Sequence, residues 1–421
     1  MAQIKLYKSQ LFGEVPLCTS KSIAHRALIC SALSGRDIVI NNVEMSDDIC
    51  ATINALKALG VNIEYCDKRV EIKKGNIKLN NFVLINALES GSTLRFLIPV
   101  CISLNRECEF TGEGRLPKRP LDDYFSIFDN NGIEYERGKD YLPLKTKGTF
   151  KSREFNVKGN VSSQFITGLM LSSIVCNEET IINITTPLES KPYIDITKKV
   201  LEDFGHRVYF KDNIIKVKKG KTKISSYNVE KDWSQAAFFL AAGAIFGDIT
   251  IKDMNLNSSQ GDIKIVDILQ KMGADISVSN DVIRVKKSSL KGINIDVSDI
   301  PDLVPALSVL GAVAKGETNL YNAGRLRLKE SDRILSTVKM LESFNVKVDM
   351  GEDFLKIYYC DNLKGGTVNS FNDHRIVMAA SVMATMCDET VIKGCDAVKK
   401  SYPEFFNDYF KVGGKGEFIN E

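Results

Sequence analysis

The chain has 421 residues, of which 44% are hydrophobic and 26% are charged. This composition excludes a disordered chain, and the length predicts two or three domains with sizeable buried cores. Lysine and arginine number 56 against 53 aspartates and glutamates, whereas a general nucleic-acid or membrane-surface binder carries a strong basic excess. Any anionic partner must therefore meet a local cluster of cations.

The sequence has no pattern typical of a membrane span or an export signal. Its longest run of small and apolar residues, Ala236–Gly247, has twelve residues, well short of the roughly 20 that cross a bilayer. The first ten residues alternate apolar and polar types as a strand does. Ten cysteines are scattered between Cys18 and Cys395 without a C-x-x-C pair. We expect a soluble, unexported protein with reduced thiols in the cytoplasm.

Six similar helix starts recur along the chain. Each begins with a polar or charged residue, continues as a small and apolar helical pattern, and passes into a β-rich stretch. Successive starts are 70, 70, 72, 68 and 71 residues apart. Their first residues are Ser22, Ser92, Ser162, Ser234, Asp302 and Asp373.

A second series runs in step with the first and marks helix ends. Each member is followed by an alternating strand, a short polar turn and another strand, and the spacings are 72, 73, 68 and 72 residues. Glycine, or asparagine in its place, is the residue that a left-handed helix C-cap favours. The members are Gly60, Gly132, Gly205, Gly273 and Asn345.

The two series together predict an α/β protein built from units of about 70 residues, each reading helix, strand, helix, strand, turn, strand. One unit cannot bury its own core, so we expect two domains of three units each. The predicted domains are 15–228, and 229–421 completed by the strand at 1–14, with the last unit truncated after Tyr409. A solenoid is the alternative, although its repeats usually have 20 to 50 residues.

The helix starts also carry the residues that suggest chemistry. Lys21, Arg26, Arg95 and Arg375 lie there, and helix starts attract anions through their free N–H groups. A capped core helix is the plainer reading of any one start. Dinucleotide, P-loop, zinc and nucleophile-elbow patterns are absent from the sequence. We therefore expect ligands with phosphate or carboxylate groups, no metal and no cofactor.

Nine segments, in this order, resemble the motifs of the 5-enolpyruvylshikimate-3-phosphate synthase family. The resemblance implies a two-domain inside-out α/β barrel of six βαβαββ-type repeats, three per domain, with the active site in the interdomain cleft. The segments cover nearly the whole chain; they are Lys21–Arg26, Glu89–Arg95, Gly112–Pro120, Val161–Gln164, Ser190–Tyr193, Ile300–Asp302, Leu328–Arg333, Asn372–Arg375 and Lys400–Pro403.

The resemblance also implies the reaction, in which the enolpyruvyl group of phosphoenolpyruvate passes to the 5-hydroxyl of shikimate 3-phosphate. Asp302 would be the base, Glu330 the acid and base at C3, and Lys21 a cation at the leaving phosphate. The residues implied for shikimate 3-phosphate are Lys21, Ser22, Arg26, Ser162, Ser163, Gln164, Ser190, Tyr193, Asp302 and Lys329. Those implied for phosphoenolpyruvate are Lys21, Gly91, Arg119, Gln164, Arg333, Arg375 and Lys400.

Three residues depart from the family pattern. Glu89 stands where many members have an asparagine, Phe96 where many have proline or leucine, and Arg325 where some have an asparagine near the shikimate phosphate. Gly91 is retained, and in this family a larger residue there obstructs glyphosate. Glyphosate is therefore a candidate inhibitor, and we expect a monomer that binds neither nucleic acid nor membrane.

Two other functions fit parts of the pattern. The enolpyruvyl transferase acting on UDP-N-acetylglucosamine shares the fold, but it usually has Lys-Asn at the first helix and a reactive cysteine in the loop that here spans 109–124 and has none. A repeat protein that binds RNA would need a basic face with interleaved aromatics, and aromatics are 8% of this chain, mainly at apolar spacing.

Overall fold

The computed structural model describes residues 2–74 and 82–419. Residues 1, 75–81, 420 and 421, which the predicted domains include, lie outside the described part. The chain divides into two compact units. Unit A is Thr19–Glu230, and unit B combines Met1–Cys18 with Lys231–Glu421.

Each unit alternates helices and short strands. The chain opens in unit B with β1 (Gln3–Tyr7) and β2 (Phe12–Val15). Unit A then contains α1 (Lys21–Leu33), β3 (Ile38–Asn41), α2 (Asp47–Ala58), β4 (Asn62–Cys66), β5 (Arg69–Lys73), β6 (Phe82–Asn86), α3 (Gly91–Ser103), β7 (Glu107–Thr111), α4 (Asp122–Asn131), β8 (Glu134–Arg137), β9 (Leu144–Lys147), β10 (Glu154–Val157), α5 (Ser163–Ser172), β11 (Thr180–Ile184), α6 (Lys191–Asp203), β12 (Arg207–Lys211), β13 (Ile214–Lys218) and β14 (Ser226–Asn228).

The rest of unit B repeats this alternation. It contains α7 (Trp233–Phe246), β15 (Asp248–Ile251), α8 (Ile265–Lys271), β16 (Asp275–Ser279), β17 (Val282–Lys286), β18 (Asn294–Asp296), α9 (Val304–Val313), β19 (Glu317–Tyr321), α10 (Arg333–Ser343), β20 (Val348–Met350), β21 (Phe354–Tyr358), β22 (Thr367–Asn369), α11 (His374–Ala384), β23 (Glu389–Lys393), α12 (Phe405–Lys411) and β24 (Lys415–Ile419). Short 3-10 turns that matter below are Leu116–Lys118, Gly261–Lys264, Pro301–Leu303, Gly324–Leu328 and Cys395–Lys400.

The strands of the described residues form six four-stranded sheets, three in each unit. The orders are β14-β3-β5-β4, β6-β7-β9-β8 and β10-β11-β13-β12 in unit A, and β16-β17-β15-β2, β18-β19-β21-β20 and β22-β23-β1-β24 in unit B. Every sheet has one parallel pair and two antiparallel pairs. This common pattern confirms the α/β class and the repeated βαβαββ unit.

The chain ends join sheets that lie far away in sequence. The amino-terminal segment forms two strands: β1 pairs with β23 and β24, and β2 pairs with β15. The last unit does not stop at Tyr409, because α12 continues to Lys411 and β24 follows a turn at Gly413, whose φ is +101°. β1 takes the place that an internal strand has in the other sheets, so the sixth sheet is complete.

Each unit has its own hydrophobic core, with the first helix of every repeat inside. In α7 and α11, for example, nearly all residues are buried. The strands of the sheets alternate buried and exposed residues, as in β6 and β13, so each sheet has one face on the core and one in solvent. Buried helices and outer sheets are the inside-out arrangement that the resemblance implies.

The local signals in the sequence are confirmed. The six predicted helix starts lie within two residues of the observed helix or 3-10 starts. The five predicted C-cap residues all have positive φ, from +66° at Gly132 and Asn345 to +91° at Gly60, because the left-handed conformation reverses the chain at little cost for these residue types.

Candidate active site

In unit A, the first helix start holds Lys21 in an ion pair. Lys21 is the first residue of α1, and its Nζ lies 2.5 Å from Oδ2 of Asp48 near the start of α2. Both side chains are largely but not fully buried, 17% and 13% exposed. A lysine in this state is held in place by its partner and still reaches solvent, so an incoming anion can contact it.

Arg26, one turn further along α1, is directed into the unit. Its Nε donates to Thr197 Oγ1 at 2.8 Å, Nη1 to the Ser22 carbonyl at 2.6 Å, and Nη2 to the Tyr193 carbonyl at 3.1 Å. A further bond joins Nη2 to Thr167 at 3.3 Å. Burial lowers the pKa of Arg26 to about 10. The guanidinium thus ties α1 to α5 and α6, and one of its five N–H groups makes no hydrogen bond within the described residues.

The starts of α3 and α5 meet through Gln164. Its Oε1 accepts from Arg95 Nη1 at 2.8 Å and its Nε2 donates to Ser92 Oγ at 3.1 Å. Arg95 also donates to the Pro120 carbonyl at 2.9 Å, directly after Arg119. The guanidinium of Arg119 packs on Gly91, where a Cβ atom would lie 2.5 Å from Nη1. These contacts bring Gly91, Arg119 and Gln164 together, as the resemblance implies.

The predicted phosphate-binding serines lie at helix starts. Ser162 caps α5 by accepting from the Gln164 N–H at 3.3 Å, and Ser163 is the first residue of that helix. Ser190 precedes α6 in the left-handed conformation, with φ 54° and ψ 41°. A non-glycine residue in this region is strained, and such strain clusters at binding sites. A helix start is a place where the aligned peptide dipoles favour an anion.

Two of the residues that depart from the family pattern make defined contacts in unit A. The Glu89 carboxylate lies against Gly114, where an added Cβ atom would collide with Oε2. Gly114 has φ +57°, so this loop needs glycine both for its backbone and for the room that Glu89 takes. Phe96 is buried, and its ring lies 5.0 Å below the guanidinium of Arg26, a cation–π contact that holds that arginine in place.

In unit B, Asp302 is surrounded by cations. It lies in the 3-10 turn Pro301–Leu303, where its Oδ1 accepts from Arg333 Nη1 at 2.8 Å and from Lys329 Nζ at 3.4 Å. Its Oδ2 accepts from Arg375 Nη2 at 2.9 Å, and its backbone carbonyl accepts from Nη1 of the same guanidinium. The turn, the Leu328–Arg333 segment and the start of α11 therefore converge on one carboxylate.

Arg333 joins three acids. Besides Asp302, it binds Glu330 Oε2 through Nη2 at 2.5 Å and Asp373 Oδ2 through Nε at 3.0 Å. Arg333 and Asp373 are both 0% exposed. Burial by itself would lower the pKa of Arg333, but the three surrounding carboxylates outweigh it and raise that pKa above its usual value. Arg333 is therefore a fixed positive charge at the centre of the cluster.

The other predicted cations lie at the same helix starts. Lys400 ends the 3-10 turn Cys395–Lys400 and donates to the Asn372 carbonyl at 2.8 Å, two residues before His374 opens α11. Lys329 has a side chain 24% exposed, and burial lowers its pKa. Arg325 donates to the Ser298 carbonyl at 3.1 Å. The site in unit B therefore contains three carboxylates, those of Asp302, Glu330 and Asp373, and four cations, which are Lys329, Arg333, Arg375 and Lys400.

Sequence reasoning missed several residues of these clusters. Asp48, which holds Lys21, follows Ser46, whose side chain caps α2. The Ser46-Asp47-Asp48 run is a helix-start signal that could have placed a carboxylate near α1. For Arg95 the sequence predicts a cation at a helix start but no site role, and for Asp373 it predicts only a helix start. Asp373 caps α11 by accepting a hydrogen bond from the Arg375 N–H at 3.0 Å, which explains why it lies at the helix start.

Within residues 2–74 and 82–419, no group of three or more histidine, cysteine, aspartate or glutamate side chains could hold a metal ion. In the same residues, no helix is both long and apolar enough to cross a membrane.

Solved structures share this fold over the full chain. An EPSP synthase from Acinetobacter baumannii has a TM-score of 0.83 and 25% identity and covers 100% of both chains. The enolpyruvyl transferase NikO from Streptomyces tendae has a TM-score of 0.79 and 14% identity, covering 100% of this chain and 99% of its own. The fold, with its cationic helix starts, is that of the enolpyruvyl transferases.

Comparison of the amino-acid sequence identifies the family more narrowly than the fold does. The family model for EPSP synthase (3-phosphoshikimate 1-carboxyvinyltransferase) matches residues 7–409. A 3-phosphoshikimate 1-carboxyvinyltransferase of Clostridium novyi is 46% identical, covering 98% of each chain. One of Clostridium acetobutylicum is 45% identical, covering 98% of this chain and 97% of its own. The chain belongs to the EPSP synthase family.

Proposed function

We propose that this protein is a 3-phosphoshikimate 1-carboxyvinyltransferase, which transfers the enolpyruvyl group of phosphoenolpyruvate to the 5-hydroxyl of shikimate 3-phosphate and releases phosphate. The observation that carries the proposal is the family match over residues 7–409, with relatives of that name at full length. The reaction belongs to the shikimate pathway, which leads to chorismate and the aromatic amino acids.

The chemistry requires one base, one acid and several cations. The hydroxyl oxygen bonds to C2 of phosphoenolpyruvate, its proton passes to a base, and C3 takes up a proton, which gives a tetrahedral phosphoketal. Loss of a proton from C3 and of phosphate from C2 then restores the double bond in the product. Both substrates are anions, so cations must offset their charge throughout.

In this proposal Asp302 accepts the hydroxyl proton. This role is supported by the position of Asp302 beside Arg333 and Arg375, which are the cations assigned to phosphoenolpyruvate. Substrate phosphate and carboxylate groups are competing partners for the planar forks of these arginines. When they take over those donors, the Asp302 carboxylate is released from its ion pairs and becomes available as a base.

Glu330 exchanges a proton with C3, and Lys21 assists at the leaving phosphate. Glu330 lies three residues before Arg333 and contacts it, so the acid and the substrate-binding arginine are fixed to each other. Its side chain is 24% exposed, which leaves it accessible to a ligand. Lys21 can stabilise the charge that develops on the departing oxygen once the anion replaces Asp48 as its partner.

The remaining assignments concern binding. Shikimate 3-phosphate would place its phosphate on the serines at the α5 and α6 starts and on Lys329, its carboxylate on Ser22 and Arg26, and its ring near Gln164 and Tyr193. The residues proposed to contact phosphoenolpyruvate are Lys21, Gly91, Arg119, Gln164, Arg333, Arg375 and Lys400.

We further propose a cytoplasmic monomer that glyphosate inhibits. All ten cysteines are free thiols, a state typical of a reducing compartment. The retained Gly91 supports glyphosate inhibition competitive with phosphoenolpyruvate. Light scattering during size-exclusion chromatography tests the monomer, and an inhibition curve at several phosphoenolpyruvate concentrations tests the inhibitor.

The main test measures phosphate release from phosphoenolpyruvate with and without shikimate 3-phosphate. The wild type should release phosphate only with both substrates. Asp302→Ala and Glu330→Gln should each lose at least about a hundredfold in rate, the scale of a general acid or base. Glu342→Gln, an exposed acid on α10 that pairs with Lys339, is the control and should keep the wild-type rate. Release without the second substrate would refute the proposal, and full activity in either variant would refute its assigned role.

A further inference from the structure

The fourth of the six helix starts has no role in the proposed reaction. The other five carry residues assigned to catalysis or binding, whereas α7 begins at Trp233 and Ser234, which have none. In the structure the hydroxyl of Ser234 donates a hydrogen bond to Oδ2 of Asp262. Asp262 lies in the 3-10 turn Gly261–Lys264 and is 4% exposed. The fourth repeat thus contributes a buried carboxyl group.

Within unit B, one helix connects the turn that carries this carboxyl with the turn that carries the proposed base. The turn that carries Asp262 packs on α7, and the turn that carries Asp302 packs on the same helix. The charged groups that act on Asp262 are Asp302, Arg375 and Asp232, the N-cap of α7. Within the described residues, no lysine or arginine forms an ion pair with Asp262, although Arg375 forms one with Asp302.

The remaining charged groups near the turn face elsewhere. Lys264, in the same turn, pairs with Asp299 at 3.6 Å. On α8, which continues from the turn, Asp267 and Lys271 are exposed. Burial, and then the neighbouring charge of Asp302, raise the pKa of Asp262 to about 7, against the opposing effects of the Ser234 hydrogen bond and Arg375. This carboxyl therefore changes charge near neutral pH.

We propose that Asp262 is a positioning residue for the Asp302 base, a role that rests on the proposed function. When Asp262 is ionised, its charge repels that of Asp302 and attracts Arg375, so that Asp302 holds an incoming proton more strongly. When Asp262 is protonated, the cations around Asp302 are unopposed and the base is weaker. Asp262 itself touches neither substrate in this proposal.

The consequence is a pH dependence with a defined sign. As the pH rises through about 7, Asp262 loses its proton and the rate of hydroxyl deprotonation increases. Asp262→Asn keeps an oxygen that can accept from Ser234 but never ionises. Its rate should equal that of the wild type at pH 5.5 and fall below it by about tenfold at pH 8.5, a part of the usual contribution of a general base.

The test is the pH profile of kcat and kcat/KM for the full-length wild type, Asp262→Asn and Ser234→Ala. Asp267→Asn, an exposed acid on α8, is the matched control and should reproduce the wild-type profile. Ser234→Ala removes a hydrogen bond that favours the ionised carboxylate, so the rise should move to higher pH while the plateau above it keeps the wild-type rate. This shift keeps the proposal testable if Asp262→Asn fails to fold.

The outcomes separate this inference from the proposed function. A wild type that does not release phosphate with both substrates refutes the function. An active wild type whose profile is unchanged in both Asp262→Asn and Ser234→Ala refutes the role of Asp262. A fall in rate that is the same at every pH shows a merely structural role and also overturns the inference.

Discussion

Gly91 is the position at which one added methyl group should change substrate binding without harming the fold. It is the first residue of α3, and a Cβ atom there would lie 2.5 Å from Nη1, 3.0 Å from Cζ and 3.1 Å from Nη2 of Arg119. The nearby Arg95 donates to the Pro120 carbonyl at 2.9 Å and so fixes the chain next to Arg119. Gly91→Ala therefore acts on the Arg119 guanidinium.

The size of the effect follows from these distances. Non-bonded atoms are at their optimal separation at about 3.5 to 4.0 Å, so the guanidinium must retreat by about 1 Å. Because a displacement of about 1 Å can cost about a hundredfold in rate, we expect kcat/KM for phosphoenolpyruvate to fall by about 10- to 100-fold. Alanine has a higher helix propensity than glycine, by about 0.5 to 1 kcal/mol, so stability should not fall.

Steady-state kinetics with each substrate varied in turn, together with thermal unfolding, measure this prediction. The Michaelis constant for phosphoenolpyruvate should rise much more than that for shikimate 3-phosphate. The control is a double-mutant cycle: in an Arg119→Ala background, Gly91→Ala should have little further effect, because its target is gone. An equal loss in both backgrounds would refute the steric argument.

Three other variants test the charge network and the buried groups. Arg333→Met leaves the fully buried Asp373 without its cation, so the free energy of unfolding in urea should fall by about 3–5 kcal/mol; an unchanged midpoint contradicts this. Lys21→Met leaves Asp48 without its ion-pair partner, so that its carboxylate repels an incoming anion. The Michaelis constant for phosphoenolpyruvate should therefore rise at least about tenfold. Adding Asp48→Asn should recover part of the loss, and no recovery would count against repulsion between Asp48 and the substrate. Burial lowers the pKa of His206 to about 4. Between pH 6.5 and 4 the unfolded chain therefore binds a proton that the folded chain excludes, so the free energy of unfolding decreases as the pH falls. In urea titrations His206→Gln should lose less stability than the wild type over that range, and an identical loss would contradict this role of His206.

The parts of the fold that could be predicted are those set by neighbouring residues. Ser162 and Asp373 cap their helices with their own side chains, and Gly60 and Gly132 end helices in the left-handed conformation. Each signal depends on residues within one or two turns of the chain. These local signals therefore predict the period of about 70 residues without any knowledge of strand pairing.

The pairing of distant strands could not be predicted in the same way. The sequence pattern predicts a single amino-terminal strand, yet β1 and β2 join different sheets. The pattern also predicts that the last unit ends at Tyr409, yet β24 follows. Local alternation of apolar residues identifies a strand but not its partner, because register and neighbours depend on the packing of the whole unit.

The candidate site also contains residues that could be predicted from the sequence and residues that could not. Asp302, Arg333 and Arg375 were expected together because a resemblance assigned them, and their ion pairs bring them together in unit B. Asp48 and Asp262 were missed because each approaches the site from an element outside the six helix starts. The roles of all these residues in catalysis stay predictions until variants are measured.

The most direct test of the proposed reaction follows the carbon atoms of phosphoenolpyruvate in D2O. The purified protein is incubated with phosphoenolpyruvate labelled with ¹³C at C2 and C3 and with shikimate 3-phosphate, and the products are observed by NMR. Addition followed by elimination predicts an enol ether on the 5-oxygen, phosphate in equal amount, and deuterium in the C3 methylene, because C3 becomes a methyl group in the intermediate. A labelled product without this ether, or an ether formed with no deuterium at C3, would contradict the proposed mechanism.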